Sequence, residues 1–135
     1  MNNQYNVHWY DREQTIIYAK YPTGWTWDDY YLIEQESHQL IDNDPRSDLM
    51  RVDIVADMIN GIMPRGATWS HARSTMQRRK ANVGLIVVVS ENAFVHAITQ
   101  MGVKLSAEMG ELYQSARSVD EAIALIHKAR SKATT

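Results

Sequence analysis

Cysteine is absent from the 135 residues, and that absence removes disulfide scaffolds, thiolate-bound zinc and a thiol nucleophile together. Long apolar runs are missing too. The longest, Leu85 to Val89, falls far short of the roughly 20 residues that a membrane-spanning helix needs. Met1 to Asn6 is polar, so no secretory leader and no transmembrane segment are expected, and a cytoplasmic location follows by default. No Pro-, Gly- or Ser-rich linker, internal repeat or low-complexity tract divides the chain. One domain over 1–135 is expected, with an ordered core over about 5–128 and a fraying tail from Lys128.

An excess of either charge is lacking as well. The net charge of −2 argues against nucleic acid as a partner, but the charges are unevenly placed. Residues 1–57 carry 4 basic and 11 acidic side chains, whereas 58–90 hold Arg65, Arg73, Arg78, Arg79 and Lys80 with no acid at all. This basic island is either a solvated helix face or a surface for an anionic partner or ligand.

What is present reads as an α/β pattern. Val7 to Tyr10 and Thr15 to Tyr21 are rich in aromatic and β-branched residues, and the polar stretch Asp11 to Gln14 between them suits an antiparallel hairpin. Thr26 and Asp29 form a capping box for a helix to about Ile41. Met50 to Asp57 alternates Val52, Ile54 and Ala56 with Asp53, Val55 and Asp57, as a strand does. A second helix is expected over 68–79, and Val83 to Val89, apolar at nearly every position, reads as a strand covered on both faces. Ser90 can cap a third helix, Leu112-Tyr113 marks a last strand, and Ser118 with Glu121 caps a last helix. The order β-β-α-β-α-β-α-β-α demands a mixed, mostly parallel sheet behind an N-terminal hairpin, with helices on its faces.

Familiar catalytic patterns fail on inspection. Gly61 to Thr68 sits between strand and helix as a phosphate loop does, but Ala67 stands where such a loop needs Lys, and Pro64 lacks an N–H. A helix N-terminus beside Arg65 can still hold an anion. Ser70 and His71 are helical neighbours, pointing about 100° apart, which is unsuited to a nucleophile and its base. Asp42, Asp44 and Asp48 lack the turn Gly and terminal Glu of a calcium loop. No two of the five histidines stand at i, i+4, so nothing local supports a metal site. Asp53 and Asp57 would lie roughly 13 Å apart on one strand face, too far to share a proton. No catalytic residue, metal or cofactor is expected.

Nine of the twelve aromatic residues fall between Tyr5 and Tyr31. They exceed what one core-facing side of a hairpin needs. The surplus suits an ordinary edge, a homodimer surface through Tyr10 and Tyr18, or the wall of an apolar ligand pocket.

With this order of elements, the chain resembles an anti-sigma-factor-antagonist (STAS, SpoIIAA-like) domain, related in architecture to SEC14-like domains. The residues carrying the resemblance are the strand Val83 to Val89, then Ser90, Ala93, Val95, His96, Ile98, Gly102, Leu112-Tyr113 and Ser118 to Ala122. The resemblance implies a SpoIIAA-like layered domain that works without catalysis, as a regulator or scaffold binding a protein partner. It implies docking through the loop 58–70 and the basic helix 68–80, with Asp57 and Asn60 at the strand end. Thr68 and Ser70 stand at the phospho-acceptor position, with Arg65, Arg73 and Arg78 beside it. The family's Asp-Ser-Ser-Gly signature is replaced by Ala67 to Ser70. The alternative is a binder of a small apolar or anionic ligand, lipid-like or nucleotide-like.

Overall fold

The computed structural model describes residues 4–46, 49–61, 63, 64, 66 and 68–133. The opening hairpin pairs β1 (Asn6–Trp9) with β2 (Ile16–Lys20) in antiparallel fashion. Its loop is organised by Asp11, whose carboxylate accepts the N–H groups of Thr15 and Ile16 at 2.8 and 3.0 Å. Then follow α1 (Trp27–Asp42), β3 (Val52–Asp57), α2 (Thr68–Arg78), β4 (Val83–Val89), α3 (Ala93–Leu105), α4 (Ala107–Leu112), β5 (Tyr113–Ala116) and α5 (Val119–Ala133). The sheet has the consecutive order β1-β2-β3-β4-β5, with every pair after the hairpin parallel.

That order decides where the helices go. Each crossover steps one strand in the same direction, and right-handed connections then put every crossover helix on the same face. Accordingly α1 (Ile33, Ile41), α3 (Val95) and α4 (Leu112) all pack on the face carrying Ile17, Ala19, Val52, Ala56 and Val88. The opposite face is closed by α5, whose Ala122 and Ile126 meet Ile16, Val55, Leu85, Val87 and Val89. Strand β4, in the middle of the parallel part, is covered on both sides, as its unbroken apolar run requires.

The elements depart from the sequence reading in three places. Asn92, not Ser90, caps α3, accepting the Phe94 N–H at 2.8 Å; Ser90 instead accepts the N–H of Asn92. Leu112 ends an additional short helix, α4, rather than opening β5. The tail does not fray at Lys128. Helix α5 continues to Ala133 because Arg130 is anchored: its Nε donates to Asp53 at 2.7 Å and its terminal nitrogens donate to the side chain and carbonyl of Thr15. Asp53 is wholly buried and also takes Arg51 at 3.0 Å. Gly84 makes room for this pair, since a Cβ there would lie 2.2 Å from the Arg51 guanidinium and 2.7 Å from Asp53.

Candidate functional site

Helix α2 is an unusual cover for a sheet. Its sequence, Thr-Trp-Ser-His-Ala-Arg-Ser-Thr-Met-Gln-Arg, offers little apolar surface, and Thr75 is its one buried residue. It is latched sideways onto α1 instead. The His71 ring stacks on Trp27, centroids 4.1 Å apart, and its Nδ1 meets the Tyr31 hydroxyl. The Tyr30 and Thr75 hydroxyls lie 2.6 Å apart. Arg78 lies over the Tyr31 ring and pairs with Glu34 at 2.6 Å, while Lys80 reaches Asp42 at 3.1 Å. Two of the five cations of the basic island, Arg78 and Lys80, are thus neutralised by acids of α1.

A helix held by rings and ion pairs does not settle onto the strands. Two adjoining cavities remain beneath it. The first, about 80 Å³, is walled by Trp25, Trp27 and Tyr30 on one side, Thr68, Trp69 and Ala72 above, and Ile98, Thr99, Gly102 and Met109 from α3 and α4. Met58, Met63, Val88 and Tyr113 complete it, and no charged side chain lines it among the described residues. The second, about 70 Å³, shares Tyr30, Met58, Val88 and Tyr113 and extends to Glu34, His38 and Arg79.

Two glycines set the walls by close approach. A Cβ on Gly102 would come within 2.7 Å of the Trp69 ring and 3.1 Å of the Met109 sulfur, and a Cβ on Gly61 within 2.7 Å of Trp25 Nε1. The indoles therefore lie directly against backbone.

The polar atoms of these walls are incompletely served. Buried side-chain polar atoms are ordinarily hydrogen-bonded. Here Trp25 Nε1, Trp27 Nε1, Glu34 Oε2 and the Tyr113 hydroxyl lack a hydrogen bond of acceptable geometry, and all four belong to residues lining one or both cavities. The Tyr113 hydroxyl lies near those of Tyr30 and Thr75 without meeting either well. Burial pushes the hydroxyls of Tyr21 and Tyr113 well above the usual phenol range and raises that of Tyr30, so these rings stay neutral. Burial likewise lowers His38 at the edge of the second cavity.

The residues singled out by sequence are only partly gathered here. Thr68 lines the first cavity, while His71 and Arg78 meet Tyr31 of α1. Asn60, Ser70 and Arg73 are exposed, and Arg73 has no internal partner among the described residues. Arg65, Ala67 and Asp48 lie outside the described residues. Asp57 is buried, accepting the Tyr18 hydroxyl and the N–H of Ile59. The Tyr18 hydroxyl is therefore engaged, whereas Tyr10 is 46% exposed. Asp42 and Asp44 are paired with Lys80 and Arg46.

Sequence reading left a pocket wall as one of three uses for the hairpin's surplus rings, and the rings that line the first cavity are instead Trp25, Trp27, Tyr30, Trp69 and Tyr113, joined by Met58 and Met109. The available signal was Trp69 itself, the only aromatic residue on a helix otherwise nearly devoid of apolar side chains. Among the described residues no group of three or more His, Asp or Glu side chains is placed to hold a metal ion, and no helix is long and apolar enough to cross a membrane. No family model matches the chain, and no curated protein or solved structure is significantly similar to it.

Proposed function

We propose that this chain is a non-catalytic binding domain that takes a small apolar ligand, or an aliphatic arm of a larger one, beneath α2. The observation that carries the reading is the first cavity, lined by aromatic, methionine and aliphatic side chains of α1, α2, α3 and α4 beneath a helix with one buried residue. Ligand pockets are lined predominantly by apolar and aromatic side chains, as this one is. In this reading the basic helix is the cover of the pocket.

Pentane is a suitable first probe, because it tests the apolar space without asking for hydrogen bonds. Titrated into ¹⁵N-labelled protein, it is expected to shift the indole N–H signals of Trp25, Trp27 and Trp69 and the amides of Gly102 and Met109 saturably. Shifts that never saturate, or that scatter over the surface, would remove the reading.

The exposure of Arg73, with Asn60 and Ser70 also exposed, favours a second reading, in which a regulatory or scaffolding domain docks an acidic protein partner on the loop 58–70 and α2. It requires that Arg73→Glu lose partners in a pull-down from cells. An unchanged set of partners would sink it.

A further inference from the structure

The sheet ends at β5, and the outer edge of that strand is open. In the parallel pairing with β4, the Ala116 carbonyl accepts the N–H of Ser90. Backbone groups of successive strand residues point to opposite sides. Those of Gln114 and Ala116 therefore face β4, and those of Tyr113 and Ser115 face outward. The Tyr113 N–H donates to the Met109 carbonyl at the end of α4, and the Arg117 N–H to the Glu121 carboxylate. The Tyr113 carbonyl and both backbone groups of Ser115 have no hydrogen-bond partner among the described residues. These groups lie in a groove of about 360 Å³, bounded by Thr99 and Val103 of α3, Gly110 of α4, and Glu121 and Leu125 of α5. Helices α3 and α4 pack on one face of the sheet and α5 on the other, so a single groove bounded by all three must run over the free edge.

We infer that the edge of β5 docks a short extended peptide segment of a partner protein, added as a sixth strand. The unpaired carbonyls and N–H call for an extended backbone, which is how a strand added to a sheet edge gains affinity. The strand carries no Lys, Pro or bulge of the kind that blunts such edges. The groove also selects against a second copy of this chain. An edge-to-edge pair would bring the partner's flanking helices against α3 and α5, whereas a lone segment fits between them. Its length is bounded by β5, which has 4 residues and so spans about 13 Å. Its chemistry is set by the walls. Successive side chains of the segment point to opposite faces, one toward Val103, which is 36% exposed, and the next toward Leu125. Glu121, the one charged side chain of the lining among the described residues, is already engaged by the Arg117 N–H. Adjacent apolar, uncharged residues of high β-propensity fit best. This site does not depend on the ligand proposed above.

The experiment titrates the full, ¹⁵N-labelled chain with the blocked peptide acetyl-Lys-Thr-Val-Ile-Val-Thr-Lys-amide, and with the same peptide N-methylated at its three central residues. The unmodified peptide is expected to shift the Ser115 amide saturably and to slow its hydrogen exchange about tenfold or more. The N-methylated peptide, with identical side chains but no central N–H, should bind about tenfold or more weakly. Ser115→Ala should bind within about twofold of the wild type, because the contact is to backbone. Ser115→Pro, which removes the outward N–H and leaves the bonds to β4 in place, should lose about tenfold or more. Should the proline variant fail to fold, the two peptides still decide the matter. No binding at millimolar peptide, or equal binding of the two peptides, would overturn the inference. So would a Ser115 amide that is protected before any peptide is added and becomes exposed on dilution, since the edge would then belong to a second copy.

Discussion

Arg130→Ala is expected to cost the fold about 3–5 kcal/mol, the range for removing one partner of a buried ion pair. Asp53 is wholly buried on β3, and its carboxylate is held by Arg51 and Arg130. Arg51, one-third exposed in its side chain, cannot by itself replace both the charge and the hydrogen bond that Arg130 supplies. The loss spreads beyond the pair. Arg130 also donates to the Thr15 hydroxyl at 3.0 Å and carbonyl at 2.9 Å, and Thr15 is bonded to Asp11 in the hairpin loop. One guanidinium therefore joins the last helix to β3 and to the start of β2. Chemical denaturation should show the loss as a lower midpoint at unchanged slope, and thermal unfolding as a fall on the order of 10 °C or more. The double variant Asp53→Leu/Arg130→Met should recover most of it, because a buried pair replaced by apolar groups of similar volume is often neutral. A single variant that unfolds within about 1 kcal/mol of the wild type would show the network to be incidental.

Gly102→Val should abolish most ligand capacity of the first cavity while leaving the sheet intact. The glycine lies under Trp69, and a Cβ there would come within 2.7 Å of the ring. Such an approach forces the indole away from α3, and both residues line the cavity, so the ring is driven into the space a ligand would use. Pentane affinity is expected to fall at least about tenfold. Overpacking of this kind costs typically about 1–3 kcal/mol, which the rest of the domain can absorb. The variant should therefore remain folded at 25 °C with native far-UV circular dichroism. Undiminished pentane binding in a folded Gly102→Val protein would place the pocket elsewhere.

The sequence and the structure differ most where long-range pairing decides the outcome. The hairpin, the capping box at Thr26 and the doubly covered strand Val83–Val89 were legible because each rests on local chemistry: turn residues, side-chain caps and an unbroken apolar run. The Asp53–Arg130 contact was not. Its partners are 77 residues apart, and an arginine in the last turn of a helix reads as solvated until that helix is seen to lie across β3. The same reason explains the cavities. Crowding of aromatic residues before Tyr31 left an edge, a dimer surface and a pocket wall open, because the other side of the cavity comes from Trp69, Gly102 and Met109 on three other helices. The basic island was visible as composition, but the pairing of Arg78 and Lys80 with Glu34 and Asp42 on α1 was not.

The standoff of α2 from the sheet follows from that exchange of charge and rings for apolar packing. A helix with one buried residue cannot be drawn down by the hydrophobic effect. It is positioned by Trp27, Tyr30 and Tyr31 instead. Space is left where an ordinary crossover helix would have none, and the side chains lining it are nearly all apolar or aromatic. Ligand affinity and the stability of α2 should therefore rise together.

Crystals pressurised with xenon offer the most direct measurement, because xenon enters dry apolar cavities without needing a hydrogen bond. An anomalous peak among Trp69, Met58, Val88 and Gly102 is the result this account requires. Diffraction showing Trp69 and α2 collapsed onto the strands, with no xenon between them, would contradict it.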